Sequence, residues 1–221
     1  MKGLRIYHLN IHSLCNKLDE LRLFCNEYKP YILLLNETWL DENISDNKLH
    51  LTSYNIIRRD KDSFGGGVAV YIDEQLQFNH INMEAHPHIE VIWFELIPTK
   101  GKKILFGSLY RPPNFDASVF SQEVESILVT YSKDKNETIS LGDFNFDFAL
   151  PLSGYQQKGK NSLHITRAGP STWCKLVIQT NVTREYQNRL VQNAHEFIFK
   201  KTVHSLKHIL FMCFYYRLHN A

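Results

Sequence analysis

The sequence contains few cysteines, and none of them lies in a pattern that binds zinc. The 221 residues include only four, Cys15, Cys25, Cys174 and Cys213, and no two of these form a C-x-x-C pair. Regularly spaced cysteines mark disulfide scaffolds or zinc sites, whereas scattered thiols are typical of proteins in a reducing compartment. The sequence therefore excludes a disulfide-stapled or zinc-finger class and predicts reduced thiols in an intracellular protein.

Long apolar runs are also missing. The first ten residues, MKGLRIYHLN, contain no apolar segment of the kind that a secretory signal requires. The longest apolar stretch near the end, ILFMCFYY at 209–216, is much shorter than the roughly 20 residues that span a bilayer as a helix. We therefore expect a soluble, intracellular protein without a membrane partner.

The chain has little net charge of either sign. Its formal charge is +2, and its 43% hydrophobic and 22% charged residues are ordinary for a globular protein. A nucleic-acid partner would therefore have to be attracted by local basic groups. Two such groups are Arg58, Arg59 and Lys61, and Lys100, Lys102 and Lys103. Groups of this size are usually solvated loops, so they are weak indicators.

The first third of the chain alternates between strand and helix patterns. A strand is predicted at 4–11, a helix at 14–28 and a continuous apolar strand at 31–37. Ser13 is placed to cap the helix, which is expected to end before Pro30.

The middle of the chain is rich in predicted strands. Their ranges are 54–59, 65–72, 89–97, 102–110 and 137–145. A second helix is predicted between the last two strands, with Asp116 placed to cap it. Residues 151–185 have no clear periodicity. The length suits one domain, 1–221, of the mixed α/β class.

Four of these predicted strands end on polar side chains. The side chains are Asn10, Glu37, Tyr110 with Arg111, and Asp143 with Asn145. Ligands gather at the carboxyl ends of strands in layered α/β folds, so we expect these groups to form one site. Carboxylate and amide oxygens are ligands that suit Mg²⁺, and Mg²⁺ assists phosphoester hydrolysis. The chemistry therefore indicates a metal-assisted phosphoesterase.

Each of these residues also has a simpler interpretation. Asn10 could cap the first helix, Glu37 could be a solvated strand end, and Tyr110 with Arg111 could pack over the edge of the core. The turn residues around Asp143 are common at any strand end.

Two other motifs are less informative. The triplet Gly65–Gly67 lacks the Lys and Ser/Thr of a phosphate-binding P-loop, so we expect a tight hairpin there. His86 and His88 lie on either side of Pro87 with no Cys nearby, which favours a loop over a metal site.

Five motifs together resemble a known family. They are LNIHSLCNKLDEL (9–21), LLLNETWL (33–40), GGGVAVYI (65–72), LYRPPN (109–114) and LGDFN (141–145). Their order and spacing are similar to those of the endonuclease/exonuclease/phosphatase superfamily. The NETWL and YRPPN forms resemble more narrowly the apurinic-type endonuclease domain of non-LTR (LINE-type) retrotransposons. The resemblance covers residues 4 to about 150.

The resemblance implies a fold, a cofactor and a partner. The expected fold is a four-layered α/β sandwich, DNase I-like, in which two mixed sheets pack between helices. Family members nick DNA using Mg²⁺, with Mn²⁺ as a possible substitute and no small-molecule cofactor. We expect a monomer, located in the nucleus if it is functional, although the sequence has no clear nuclear signal.

The resemblance also implies roles for individual residues. Glu37 corresponds to the principal metal ligand, and Asn10 and Asp143 complete the metal site. Asp143 also handles the attacking water or the leaving group, and Tyr110 lies beside the scissile phosphate. Asn145 holds the phosphate.

In the same family, the residues that correspond to Arg111 and Asn114 lie near the DNA backbone. The resemblance implies that role for both of these residues.

The chain departs from the family pattern after residue 151. Family members have an Asp in a late strand and then a Ser-Asp-His segment. Here Lys207 stands where that Asp is expected, beside His208, and no Ser-Asp-His follows; His219 is preceded by Leu218.

We therefore expect a diverged, truncated and catalytically impaired copy. The alternatives are a non-catalytic nucleic-acid-binding remnant of the same fold and a phosphatase acting on a small phosphoester.

Overall fold

The computed structural model describes residues 4–62, 64–82, 89–99, 101–132, 137–143, 162–169, 172–179 and 211–216. The described strands are β1 Leu4–Asn10, β2 Ile32–Asn36, β3 Tyr54–Arg59, β4 Val68–Asp73, β5 Gln77–Ile81, β6 Glu90–Ile97, β7 Ile104–Tyr110, β8 Glu137–Asp143, β9 Ser162–Gly169, β10 Thr172–Gln179 and β11 Phe211–Tyr216. The helices are α1 Leu18–Tyr28, preceded by a 3₁₀ turn at Cys15–Lys17, and α2 Ala117–Ser132.

The strands form two mixed sheets. The first sheet has the order β11-β1-β2-β4-β3, and the second has the order β5-β6-β7-β8-β10-β9. Within each sheet one central pair is parallel, β1 with β2 and β7 with β8, and the other described pairs are antiparallel. The carboxyl ends of the four parallel strands therefore lie at the same edge of the two sheets.

The two sheets pack face to face through apolar side chains. This shared core includes Ile6, Leu34 and Val70 of the first sheet and Phe94, Phe106 and Leu141 of the second. Side chains alternate between the two faces of a strand, so each sheet has a second face to cover.

Helices cover the outer faces of the two sheets. Leu21 and Phe24 of α1 pack against the first sheet beside Leu33. Phe120 of α2 packs against the second sheet beside Leu105. The order of layers is helix, sheet, sheet, helix, which confirms the predicted four-layered sandwich.

The cap of the first helix differs from the prediction. Ser13 has left-handed backbone geometry (φ 80), and its N–H donates to Glu37 O at 2.9 Å, so its side chain does not cap the helix. The loop continues the pairing of β1 with β2 instead of turning directly into the helix. The predicted cap of the second helix is confirmed: Asp116 Oδ1 accepts from Ser118 N at 2.8 Å and from Val119 N at 2.9 Å.

Several strands were not predicted. β5 alternates irregularly and is mostly exposed, and β9 and β10 form a hairpin within the stretch that has no clear periodicity. β11 pairs with β1, so the first sheet includes a strand from the diverged part of the chain. Lys207, His208 and His219 lie outside the described residues, as do His86 and His88.

None of the helices described here is long and apolar enough to cross a membrane.

Candidate active site

Four predicted residues meet where the parallel strands end. In the strand registers Asn10 pairs with Asn36, and Tyr110 pairs with Asp143. Asn10 Nδ2 donates to Asp143 Oδ2 across the sheets at 3.1 Å, and the Tyr110 hydroxyl donates to Glu37 Oε1. Hydrogen bonds between side chains therefore link the end of β1 to that of β8, and the end of β7 to the residue after β2. Asn10, Glu37, Tyr110 and Asp143 are called the strand-end cluster below.

The Glu37 carboxylate is fixed by three donors. Oε2 accepts from Trp39 Nε1 at 2.8 Å and from Gly66 N at 3.1 Å, and Oε1 accepts from the Tyr110 hydroxyl. Glu37 itself is half-buried and has a left-handed backbone (φ 57). An ionised carboxylate has about four acceptor positions, so this one retains capacity for a further ligand.

The Tyr110 phenol is held in its neutral form. Burial raises the pKa of Tyr110 above its usual value, and the hydrogen bond to Glu37 and the charges of Glu37, Glu90 and Asp143 raise it further. A neutral phenol donates its hydrogen, which is what the Glu37 contact requires. Tyr110 is therefore a stable donor toward the carboxylate across the physiological pH range.

Asn36 connects the cluster to both sheets and was not predicted as a site residue. It is fully buried, and its Oδ1 accepts from Asp143 N at 3.2 Å and from His8 Nε2, while its Nδ2 donates to Leu109 O at 3.2 Å. Burial lowers the pKa of His8 to about 4, despite the hydrogen bond with Asn36 that raises it. The His8 ring is therefore neutral near pH 7.

Glu90 is a second carboxylate beside the cluster that the sequence did not indicate. It begins β6 and pairs with Tyr110 in the β6–β7 register. Its Oε2 accepts from Gly67 N, and Lys61 Nζ lies 3.3 Å from its Oε1. Burial raises the pKa of Glu90, and the Gly67 N–H and Lys61 partly oppose this shift. The positive charge of Lys61 therefore balances the negative charge of Glu90 when Glu90 is ionised.

The glycine triplet has a larger role than the predicted hairpin. A tight turn is present, closed by a bridge between Asp62 and Gly65. Gly66 has φ 73, and a Cβ atom built there would lie 2.7 Å from both carboxylate oxygens of Glu90. Because only glycine fits, the backbone can pass between Glu90 and Glu37 and donate to both carboxylates through consecutive N–H groups.

Arg111 is bonded to the cluster and is buried, whereas Asn114 is exposed. Arg111 N donates to Asp143 O at 3.0 Å, and its buried guanidinium donates to Phe115 O. Asn114 is exposed in the following turn. Contacts of both with a DNA backbone stay predictions, and Asn145 lies outside the described residues.

Some side chains of each candidate basic group are paired with acids of the same chain. Arg58 lies 3.1 Å from Asp46 and 3.3 Å from Asp60, and Lys103 lies 3.0 Å from Glu95. Arg58 and Arg59 end β3 and are only partly exposed, so the interpretation as a solvated loop is wrong for them, whereas Lys102 and Lys103 are exposed outside any strand or helix.

The residues of the cluster fit a magnesium ion better than a softer metal. Within the described part of the chain, no three His, Cys, Asp or Glu side chains gather in a metal-binding group. Mg²⁺ needs fewer protein ligands, since it keeps several waters and binds through one or two carboxylates. The fixed Glu37 carboxylate supplies one, and the Asn10–Asp143 pair supplies amide and carboxylate oxygens nearby. All of these are oxygen ligands, as Mg²⁺ prefers.

Two packed mixed sheets between helices, with acids at the strand ends, define a DNase I-like fold. The sequence profile of the Endonuclease/Exonuclease/phosphatase family matches residues 7–190, so the chain belongs to this family. No curated protein sequence matches the chain.

Solved structures share this fold. A humanized D. rerio TDP2 superposes with a TM-score of 0.60 at 12% identity, covering 96% of this chain and 99% of that one. D. rerio TDP2 complexed with a single-strand DNA product gives 0.54 at 13% identity, covering 84% and 86%. The mannosyl-6-phosphatase Bt3783 of Bacteroides thetaiotaomicron gives 0.57 at 14% identity, covering 80% and 86%. At these identities the likeness shows the fold alone.

Proposed function

We propose that this chain is a Mg²⁺-dependent endonuclease that nicks DNA, of the kind found in non-LTR (LINE-type) retrotransposons. The observation that carries the proposal is the strand-end cluster, in which Tyr110 bonds to Glu37 and Asn10 bonds to Asp143 across the two sheets. The narrower assignment to the LINE type is supported by the NETWL and YRPPN motifs.

In this proposal each residue of the cluster has a distinct task. Glu37 would hold the magnesium ion, together with Asn10 and Asp143. The bound ion would lower the pKa of an attacking water and stabilise the leaving oxygen. The Asp143 carboxylate, oriented by the amide of Asn10, would orient that water and accept its proton. Tyr110 keeps Glu37 in place and lies beside the expected position of the phosphate.

The choice of DNA as the substrate is supported by the family and by a solved relative. TDP2 shares the fold and has been crystallised with a single-strand DNA product. A phosphomonoesterase is the competing activity, because the mannosyl-6-phosphatase shares the fold equally well. The two differ in substrate, so an assay that offers both can separate them.

Nicking of supercoiled plasmid in the presence of Mg²⁺ tests the proposal. Glu37→Gln and Asp143→Asn should each lower the nicking rate by on the order of 10²–10³, because the first removes the charge that would hold the metal ion and the second removes the carboxylate that would accept the proton of the water. Glu74→Gln and Asp19→Asn make the same chemical changes at exposed positions and should leave the rate unchanged.

Two outcomes would contradict the proposal, and a third would overturn the expectation that this copy is impaired. Hydrolysis of a chromogenic phosphate ester without plasmid nicking would identify a phosphatase. Salt-dependent DNA binding without turnover would identify a non-catalytic remnant. Fast nicking that is lost in both site variants would confirm the chemistry and show that the expectation of an impaired copy is wrong.

A further inference from the structure

We infer that Asn36 is a positioning residue, which sets the relative placement of the strand-end cluster by joining the two sheets directly beneath it. The inference rests on the proposed function, because positioning matters only if the cluster performs a reaction. Asn36 is 0% exposed, so it can act on substrate only through the residues that it holds.

The partners of Asn36 determine how its amide group is oriented. Leu109 O can only accept a hydrogen bond, and Asp143 N can only donate one. Nδ2 must therefore face Leu109 and Oδ1 must face Asp143, and the reverse orientation would place like groups together. Every bond of this amide thus has a defined direction, which fixes the side chain in one rotamer.

The bonds of Asn36 reach the immediate neighbours of the cluster. Asn36 precedes Glu37 in the chain, and Leu109 precedes Tyr110. The third partner is the backbone of Asp143 itself, at 3.2 Å. The Asn36 amide, in the first sheet, therefore fixes β7 and β8 of the second sheet. It does so next to three residues of the cluster, Glu37, Tyr110 and Asp143.

His8 extends the connection to β1. His8 Nε2 is hydrogen-bonded to Asn36 Oδ1. Because an amide oxygen can only accept a hydrogen bond, Nε2 must carry the hydrogen. His8 is two residues before Asn10 on the same strand. The fourth cluster residue is thereby linked to the same amide oxygen.

Apart from Asn36 and the hydrogen bonds of the cluster itself, the two sheets meet mainly through their apolar core. The inner core is apolar, and apolar packing has no directional preference that would align the two sheets along the strand axis. A misplacement of about 1 Å in a catalytic group can lower a rate by on the order of 10². A buried amide with three directed bonds restricts that displacement further, beyond what the packed core provides.

The first test is Asn36→Asp, which keeps the shape and Oδ1 but places an oxygen against Leu109 O. We expect kcat for plasmid nicking to fall by on the order of 10² with KM nearly unchanged, since Asn36 does not touch substrate. Asn55→Asp makes the same change at an exposed position of β3 and should leave both constants unchanged. An Asn36→Asp protein that is folded and retains the wild-type kcat would overturn the inference.

His8 variants decide the question if Asn36→Asp does not fold. His8→Gln retains an N–H that can reach Asn36 Oδ1 and should keep kcat within about threefold of wild type, whereas His8→Leu should lower it about tenfold. Equal kcat values in the two folded variants would contradict the inference. A purely structural role would lower the melting temperature of His8→Leu without lowering kcat per folded molecule.

An NMR measurement tests the connection without any activity. The Asn36 side-chain NH₂ should exchange with solvent at least about 10²-fold more slowly than that of Asn55, and the nitrogen shifts of His8 should show hydrogen on Nε2. Fast exchange at Asn36, or hydrogen on His8 Nδ1 alone, would overturn the inference. If these signals are as expected but wild-type protein does not nick DNA, the proposed function fails while the connection between the sheets stands.

Discussion

The two ends of β2 use polar groups in different ways. At the amino end, Arg5 Nε and Nη2 donate to Lys29 O at 3.0 and 2.7 Å, and Tyr54 donates to Pro30 O at 2.7 Å. Both acceptors are backbone carbonyls in the connection from α1. Lys29 is left-handed (φ 45), which is the common way to end a helix. The polar groups at this end therefore complete the secondary structure.

At the carboxyl end, side chains bond mainly to one another. Tyr110 and Trp39 bond to Glu37, and Asn10 bonds to Asp143. Glu37 and Trp39 have φ 57 and 53, although neither follows a helix and neither is glycine. Such conformations cost roughly 1–3 kcal/mol each and cluster at functional sites. We infer that the amino end of β2 serves stability, whereas the carboxyl end orients side chains at a cost in stability.

The largest effect on stability is expected at Gly67, which lies near the carboxyl end of β2. Gly67→Ala should lower the free energy of unfolding by about 2–4 kcal/mol, because φ is 83 and a Cβ there would lie 2.4 Å from Thr38 Oγ1. Gly101→Ala is the matched control: φ is 98, but no atom lies within 4 Å of its Cβ, so strain alone should cost about 1 kcal/mol. Urea unfolding measures both, and equal losses would show that Thr38 moves aside.

An intermediate effect is expected at the amino end. Arg5→Met keeps the aliphatic stem but loses both bonds to Lys29 O and the contact of the guanidinium with the Tyr31 ring, 4.6 Å from its centroid. We expect a loss of about 1 kcal/mol in the free energy of unfolding, with kcat for nicking within about twofold of wild type. A fall in kcat comparable to that of Glu37→Gln would remove the distinction between the two ends.

The smallest effect is expected at Glu90. Burial raises its pKa above the usual 4.5, so the folded state binds this proton more tightly than the unfolded chain and ionised Glu90 opposes folding. Glu90→Gln should therefore be more stable than wild type at pH 8, by less than about 1 kcal/mol, and the gain should vanish as pH falls through the raised pKa.

Thermal unfolding between pH 4 and 8 measures this difference. Glu74→Gln, an exposed control, should follow wild type throughout. A Glu90→Gln protein that is less stable at pH 8 would show that the Lys61 pair outweighs the cost of burial.

The layered fold and the strand-end cluster could be predicted because they follow from simple rules. Asn10, Glu37, Tyr110 and Asp143 each end an apolar strand, and parallel strands bring their carboxyl ends to one edge. Hydrophobic runs are visible in the sequence, and so are the polar residues that interrupt them.

Asn36 and Glu90 could not be found by the same rule. Asn36 directly follows an apolar run, so the sequence pattern assigns it to the strand. Its role at the site cannot be seen in that pattern, because its three hydrogen-bond partners belong to strands far away in the sequence. Glu90 is the first residue of β6. The first residue of a strand lies beside the last residue of its neighbour only where the two strands are antiparallel, as β6 and β7 are. The predicted strands at 89–97 and 102–110 are separated by a short turn, so pairing them as a hairpin would have placed Glu90 opposite Tyr110.

The local errors have a related cause. Serine is a residue type that commonly caps helices, but the Ser13 N–H donates to Glu37 O in another segment. This tertiary hydrogen bond overrides the local preference of Ser13 for a helix cap. β5 was missed because an edge strand with exposed polar side chains has little apolar pattern.

The pairing of β11 with β1 also bears on how the protein is made. β1 begins at Leu4, but β11, one of its two neighbouring strands, lies more than 200 residues later in the sequence: Leu4 pairs with Tyr216. During translation at about 5–20 residues per second, roughly 10–40 s pass between the synthesis of the two strands. For that time one edge of β1 has no partner from its own chain and can pair with other nascent chains. We therefore expect yield in cells to depend on chaperone supply and growth temperature more than the stability of the finished fold would suggest.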